Sequence, residues 1–233
     1  MKVMILAAGR GERMRPLTDV LPKPMIAVAG KPLIQHHIEN LRGAGVHDFV
    51  INLGWRGEKI REALADGGEL GVHIRYSEEG WPALESGGGI FHALPLLGPD
   101  PFIVVNGDVY VNYPWPRLLE CARNMPAGDL THLVLVPNPA HNPKGDFALH
   151  NGRIRNAETE RLTFSGLSIH RPEFFTGCSP GHFPLLPLWR TAAQEGRMAG
   201  EIHEGLWSDV GTLERLGQLE QRLAGSAPLI SHA

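Results

Sequence analysis

Cysteine is nearly missing from this chain of 233 residues: Cys121 and Cys178 are the only two. They cannot build a disulfide framework, and no CxxC pair or metal-ligand spacing accompanies them. An excess of one charge sign is lacking too. The 22 Lys and Arg residues face 25 Asp and Glu, a net charge of −3, which excludes a broad basic surface for nucleic acid but not a local phosphate pocket. The apolar run Val3 to Ala8 is too short for a signal or membrane segment, and Arg10 follows at once. Hydrophobic residues at 42% and charged residues at 20% are ordinary globular usage, which excludes wholesale disorder. What the chain has in abundance is 28 Gly and 19 Pro, many beside charged residues, as in loops that approach a ligand closely. These features predict a cytoplasmic α/β protein without a nucleic-acid or membrane partner.

Lys2 to Ala8 is continuously apolar after its first residue and bounded by glycine, which predicts a buried parallel strand. Gly9 to Pro24 is expected to be a long basic loop. A helix is predicted over Pro32–Ala44, a strand over Asp48–Leu53, a helix over Gly57–Ala65 and a strand over Val72–Tyr76. Gly87–Leu97 predicts a helix and Pro101–Asn106 a fourth strand. This alternation predicts a Rossmann-like three-layer α/β fold with a mostly parallel central sheet. In the second half, Asp129–Pro137 and Leu162–His170 are strand-like, and Ala148–Arg155 predicts a hairpin turning at Asn151-Gly152. Pro184–Glu195 and Thr212–Leu223 are expected to be helical. One domain over 1–223 and a frayed tail over 224–233 are expected.

Three stretches could carry chemistry. In the first, Leu6-Ala-Ala-Gly-Arg-Gly-Glu-Arg-Met-Arg-Pro16, the small residues Ala7, Ala8, Gly9 and Gly11 let a ligand reach backbone N–H groups. Arg13, and Lys23 between Pro22 and Pro24, add charge for a polyphosphate. A dinucleotide fingerprint is excluded because Met14 stands where the third glycine belongs, and Gly30-Lys31-Pro32 is no Walker loop. Prolines on both sides predict a non-helical backbone at Lys23. In the second stretch, Asp108 ends the strand-like Val104-Val-Asn-Gly-Asp108, at the edge where open α/β sheets bind ligands. In the third, Asp209 within Trp207-Ser-Asp-Val-Gly211 is either a helix cap or a second acidic ligand. Two such carboxylates beside a polyphosphate loop would suit a hard cation such as Mg²⁺.

These stretches together resemble the sugar-1-phosphate nucleotidyltransferase family. Its Leu-Ala-Ala-Gly-x-Gly-x-Arg-Met-x-Pro-x-Thr signature stands at Leu6–Thr18, its Pro-Lys-Pro at Pro22–Pro24, and its two metal carboxylates match Asp108 and Asp209. Glu85-Ser-Gly-Gly-Gly-Ile90 and Thr163-Phe-Ser-Gly-Leu167 look most like the subgroup of N-acetylmuramate-1-phosphate uridylyltransferases of peptidoglycan recycling. Mannose-1-phosphate guanylyltransferase-like relatives share much of the pattern. The resemblance implies that the substrates are a nucleoside triphosphate, UTP in that subgroup, and a sugar-1-phosphate. It also implies Mg²⁺ held by Asp108 and Asp209, and catalytic roles for Arg13 and Lys23. Ala7, Ala8, Gly9, Gly11, Glu12, Arg13 and Lys23 would meet the nucleotide, with Gly80, Gly87 and Gly88 bordering the base. Asn106, Asp146, Ser165, Gly166 and Asp209 would face the sugar. The protein is expected to be a monomer or small homo-oligomer.

The chain departs from many relatives in lacking a Glu-Lys pair to grip the sugar phosphate: Asn156-Ala-Glu-Thr-Glu-Arg161 contains no lysine. Backbone N–H groups around Ser165-Gly166 and a basic side chain, Arg161 or Lys144, are the candidates for an acidic sugar, while Glu158 and Glu160 are either sugar-hydroxyl acceptors or, by the favoured reading, exposed loop carboxylates. A non-catalytic nucleotide-sugar sensor is the rival from another class, disfavoured by the presence of Lys23, Asp108 and Asp209 together. The 12 His residues lack ligand spacing, and neither cysteine has a base partner nearby in sequence.

Overall fold

The computed structural model describes residues 1–225, so 226–233 of the expected tail lie outside the described residues. Strand β1 (Lys2–Leu6) opens the chain, and the segment after it is not a plain loop. It contains two 3-10 turns, Glu12–Met14 and Lys23–Met25, and the short helix α1 (Leu17–Val20). A ribbon of β2 (Ala27–Val28) and β3 (Lys31–Pro32) leads into helix α2 (Leu33–Gly43). Strand β4 (Asp48–Leu53), helix α3 (Gly57–Leu64), strand β5 (His73–Glu78), helix α4 (Glu85–Leu97) and strand β6 (Phe102–Asn106) complete the alternating half. Next come β7 (Val109–Val111), α5 (Trp115–Arg123), β8 (Thr131–Val136), β9 (Phe147–His150) and β10 (Arg153–Arg155). The long strand β11 (Arg161–His170), α6 (Leu186–Gln194), β12 (Met198–Ile202), β13 (Trp207–Asp209) and α7 (Leu213–Gly225) follow.

The nine strands of the main sheet lie in the order β5-β4-β1-β6-β11-β8-β12-β10-β9. The first four are mutually parallel, a Rossmann-type half-sheet. Strand β11 then inserts antiparallel between β6 and β8, and β12 runs parallel to β8. Among the nine, β11 and β10 alone oppose β1, so the sheet is mixed in pairing but mostly of one direction. The unbroken apolar run of β1 has a direct cause in the layering. Val3 and Ile5 enter a core shared with α2, α3 and α5, while Met4 enters the opposite core with α4 and α6.

The Asn151-Gly152 hairpin forms as expected, with φ of 48° and 74°, the left-handed pair that a tight turn of this type requires. Two features escaped the sequence pattern. Strand β12 carries Gly200 where a Cβ would stand 2.4 Å from Ile154 Cδ1, so close packing rather than β-propensity selects the residue. The β7–β13 ribbon pairs Val109 with Asp209 across almost a hundred residues of sequence, a contact that no local signal encodes. A third core of Met14, Ile26, Val28, Leu33, Val210 and Leu219 joins α7 to the signature segment.

Asp129, buried just before β8, accepts both forks of Arg153 from β10 at 2.8 and 2.7 Å. Removing one partner strands the other charge, but Arg153 is partly open to water, which moderates the loss. Asp129→Ala is expected to cost about 2 kcal/mol, read as a lower urea midpoint at unchanged m-value.

Candidate active site

A cleft of about 420 Å³ opens at the C-terminal edge of β1 and β6. Ala7, Ala8, Gly9, Gly11, Glu12, Arg13, Lys23, Asn106 and Asp108 all line it. Gly11 has φ of 68°, and a Cβ there would press on Thr18 and Lys23 at 3.2 and 3.3 Å. This close fold-back is secured by the fully buried Thr18, whose hydroxyl donates to the Gly11 carbonyl at 2.9 Å. Gly9 has no neighbour within 4 Å of its missing Cβ, so its face is open to a ligand.

The basic residues of this segment divide into two groups. Arg10 pairs with Glu12 at 3.2 Å and Arg15 with Asp19 at 2.8 Å, so both are neutralised locally. Lys23 is buried and holds Asp108 Oδ2 directly. Its backbone corrects the expectation of a non-helical segment: Lys23 begins a 3-10 turn, closed by Met25 N–H to Pro22 O at 2.8 Å. A single tight turn tolerates proline where a longer helix would not. Arg13 lines the cleft and has no hydrogen bond or ion pair with the described residues, leaving its guanidinium available to an anion.

Two cleft residues, Asn52 and Glu79, were not singled out from sequence. Asn52 Oδ1 accepts the Ala7 N–H at 2.7 Å, and its amide donates to Glu79 Oε1 at 2.6 Å. Glu79 Oε2 takes the Leu84 N–H at 2.8 Å. The chain of bonds thus ties the signature loop to the entry of α4. Gly87 and Gly88 of α4 do not open onto the cleft as expected. A Cβ on Gly87 would meet Phe183 at 2.6 Å, and one on Gly88 the Gly181 carbonyl at 2.1 Å. They admit the 181–183 segment instead, while Ala83, Glu85 and Ser86 line the cleft. Gly80, at φ of 73°, shapes the preceding turn and is not among the lining residues.

The β7–β13 ribbon brings Asp108, just before β7, beside Asp209 at the end of β13: Val210 N–H donates to the Asp108 carbonyl at 3.0 Å. Asp108 faces the cleft, whereas Asp209 lines an adjoining hollow of about 560 Å³. Asp209 is not a helix cap; Thr212 Oγ1 takes that role, accepting the Arg215 N–H at 3.2 Å. Arg215 binds Asp209 Oδ2 at 2.6 Å. Asp209 Oδ1 is buried without an aligned hydrogen bond, and His141 Nε2 stands 3.1 Å away. Each carboxylate is therefore held by a basic side chain through one oxygen, and this all-oxygen donor set fits a hard divalent cation in kind.

Of the residues expected at the sugar, Asn106 lies in the cleft and Gly166 abuts it. Gly166 has φ of 90° within a bulge of β11, and a Cβ there would touch Asn106 at 3.0 Å. The Ser165 side chain is fully buried and accepts the Leu167 N–H at 3.1 Å, so it shapes the bulge and does not reach a ligand. Asp146 accepts the Phe164 N–H at 2.8 Å and an Asn142 amide at 3.2 Å, outside both lining sets. Arg161 is occupied by Glu158 at 2.8 Å, while Lys144 is exposed.

The three-layer α/β fold and the glycine-rich loop facing Asp108 are accompanied by a match to a family of transferases. Residues 2–145 match the family model described as nucleotidyl transferase, and the chain belongs to that family. It is 50% identical to a Neisseria meningitidis serogroup B protein named N-acetylmuramate alpha-1-phosphate uridylyltransferase, over 97% of this chain and 99% of that protein. A Caulobacter vibrioides protein of the same name is 34% identical over 95% of this chain and 96% of its own length. The crystal structure of a protein assigned as a glucose-1-phosphate thymidylyltransferase from Bacillus anthracis superposes with a TM-score of 0.85 at 21% identity, covering 97% and 96% of the two chains. The expected fold and family are thus confirmed.

Behind the acidic ribbon, the buried His37 donates from Nε2 to the Val109 carbonyl at 2.8 Å. Burial holds its pKa down at about 4 against the ordinary 6.5, so the folded protein resists a proton that the unfolded chain accepts. Stability is therefore expected to fall as pH drops from 6.5 toward about 4, by up to about 1.4 kcal/mol per pH unit from this group. His37→Gln, which retains an N–H donor, should flatten that slope in urea melts at successive pH values. An unchanged slope would assign the acid sensitivity to other groups.

Proposed function

We propose that this chain transfers the uridylyl group of UTP to N-acetylmuramate 1-phosphate, releasing pyrophosphate and forming UDP-N-acetylmuramate. The supporting observation is the 50% identity, across 97% of this chain and 99% of the relative, to a protein bearing that activity in its name. Such an activity would serve peptidoglycan recycling in the cytoplasm. The N-terminal half would bind the nucleotide and the C-terminal half the sugar.

The sugar phosphate oxygen forms a bond to the α-phosphorus while the bond to the β-phosphate bridging oxygen breaks. The attacking group is already anionic, so the protein need supply only position and charge. The open backbone at Gly9 receives the triphosphate, and the unpaired Arg13 draws the departing β- and γ-phosphates. Lys23, buried against Asp108, holds a positive charge at the floor of the cleft where the α-phosphate would lie. Asp108 and Asp209 would hold Mg²⁺, which supplies Lewis-acid stabilisation of phosphoryl charge when bound. Asn106, set by the close approach of Gly166, borders the sugar. Lys144 is the less engaged of the two basic candidates for the lactyl carboxylate, since Arg161 is held by Glu158.

Two measurements test this assignment. With UTP and N-acetylmuramate 1-phosphate, pyrophosphate release should stop in EDTA and return with Mg²⁺. Asp108→Asn should lower kcat by about 10²–10³, the rate equivalent of a few kcal/mol, without unfolding the protein. A folded variant with near-normal kcat would remove Asp108 from the reaction. Separately, kcat/KM for N-acetylmuramate 1-phosphate should exceed that for N-acetylglucosamine 1-phosphate, which lacks only the lactyl group, by at least about tenfold. Equal values would overturn the muramate assignment, and no turnover with any nucleotide–sugar pair would favour a sensor.

A further inference from the structure

We infer that Cys121, His132 and Glu201 form a binding site for one borderline-soft divalent cation of the Zn²⁺ class, separate from the carboxylates of the proposed catalytic cleft. The three residues come from α5, β8 and β12, and their sulfur, nitrogen and oxygen donors all lie within 4.8 Å of one another. His132 Nε2 is buried with no hydrogen-bond partner. It stands 3.7 Å from Glu201 Oε1, too far for a hydrogen bond but close to the spacing of two ligands on one metal ion.

Glu201 is itself buried, and Tyr113 donates its hydroxyl to Oε1, the outer contact that orients a ligating carboxylate. Arg117 reaches Oε2 from solvent; more than half of its side chain is exposed, so it can withdraw when a cation takes over the charge. A mixed thiol, imidazole and carboxylate set selects zinc-like ions over Mg²⁺ and Ca²⁺, which prefer oxygen. Burial and the nearby Glu201 carboxylate raise the Cys121 thiol pKa, and a bound cation reverses that effect. Binding releases the thiol proton to solvent, leaves thiolate on the metal, and allows water to take the fourth position.

The location suggests what the site would do. Asn112 and Tyr113 directly follow β7, and Glu201 lies in β12, which leads to β13. The connecting segments already meet through Asn112 N–H to Leu206 O at 3.0 Å and His203 Nε2 to Asn112 Oδ1 at 3.1 Å. A cation here would brace the root of the ribbon that bears Asp108 and Asp209.

The test is a Co²⁺ titration of the chelator-stripped full-length protein, followed by absorption. One equivalent should produce a thiolate-to-cobalt charge-transfer band that Zn²⁺ abolishes by displacement. Cys121→Ser should lose the band, and His132→Gln should bind at least about tenfold more weakly. Cys178→Ser and Asp108→Asn should retain it, separating this site from the other thiol and from the proposed reaction. Circular dichroism confirms that each variant is folded. Absence of the band from the parent protein, or its persistence in Cys121→Ser, would overturn the assignment.

Discussion

The contact between the buried Lys23 ammonium and Asp108 organises the cleft. It pins the signature segment, which leaves β1, to the turn that follows β6, so two neighbouring strands of the half-sheet share one edge of the cleft. Removing Lys23 from water is costly unless its charge is met, and Asp108 meets it. The surrounding contacts prevent that short range from being lost: Thr18 closes Gly11 over the lysine, and Gly107 N–H reaches back to Leu6 O at 2.9 Å.

The alternating half of the fold was readable because each element carries its own local signal. The run Val3–Ala8, the helix from Leu33 and the strand at Asp48 are marked by periodicity, proline and glycine, and they form nearly where those marks fall. The C-terminal half depends on contacts between distant segments. Strand β11 is divided by a bulge, so Thr163 and Phe164 pair with Val136 and Leu135 before the register jumps to Leu167 and Val134. Such a shift is set by partners, and its only trace in sequence is Gly166.

The candidate site shows the same division. Its N-terminal lining was legible because small residues and basic side chains occur in one short stretch. Asn52 and Glu79 were not, since an isolated Asn at a strand and a Glu beside a turn look like surface residues until Ala7 is placed between them. The triple glycine of α4 matters for its absence of bulk, which at Gly87 and Gly88 admits the 181–183 segment and at Gly89 admits Glu79 and Asn52. His141 and Arg215 carry no mark in sequence, because their relation to Asp209 exists only after the ribbon and the loop following β8 have met.

The third core has a consequence for synthesis. Met14 and Ile26, in and just after the signature segment, pack with Leu219 of α7, and the Ala29 N–H is received by Glu220 at 2.9 Å. The glycine-rich loop is among the first parts of the described chain to leave the ribosome, while its packing partner is among the last. A nascent chain can assemble the parallel half-sheet early, since its strands and helices are consecutive. Its glycine-rich loop must wait, unsupported on one side, until nearly all of the described protein has been made.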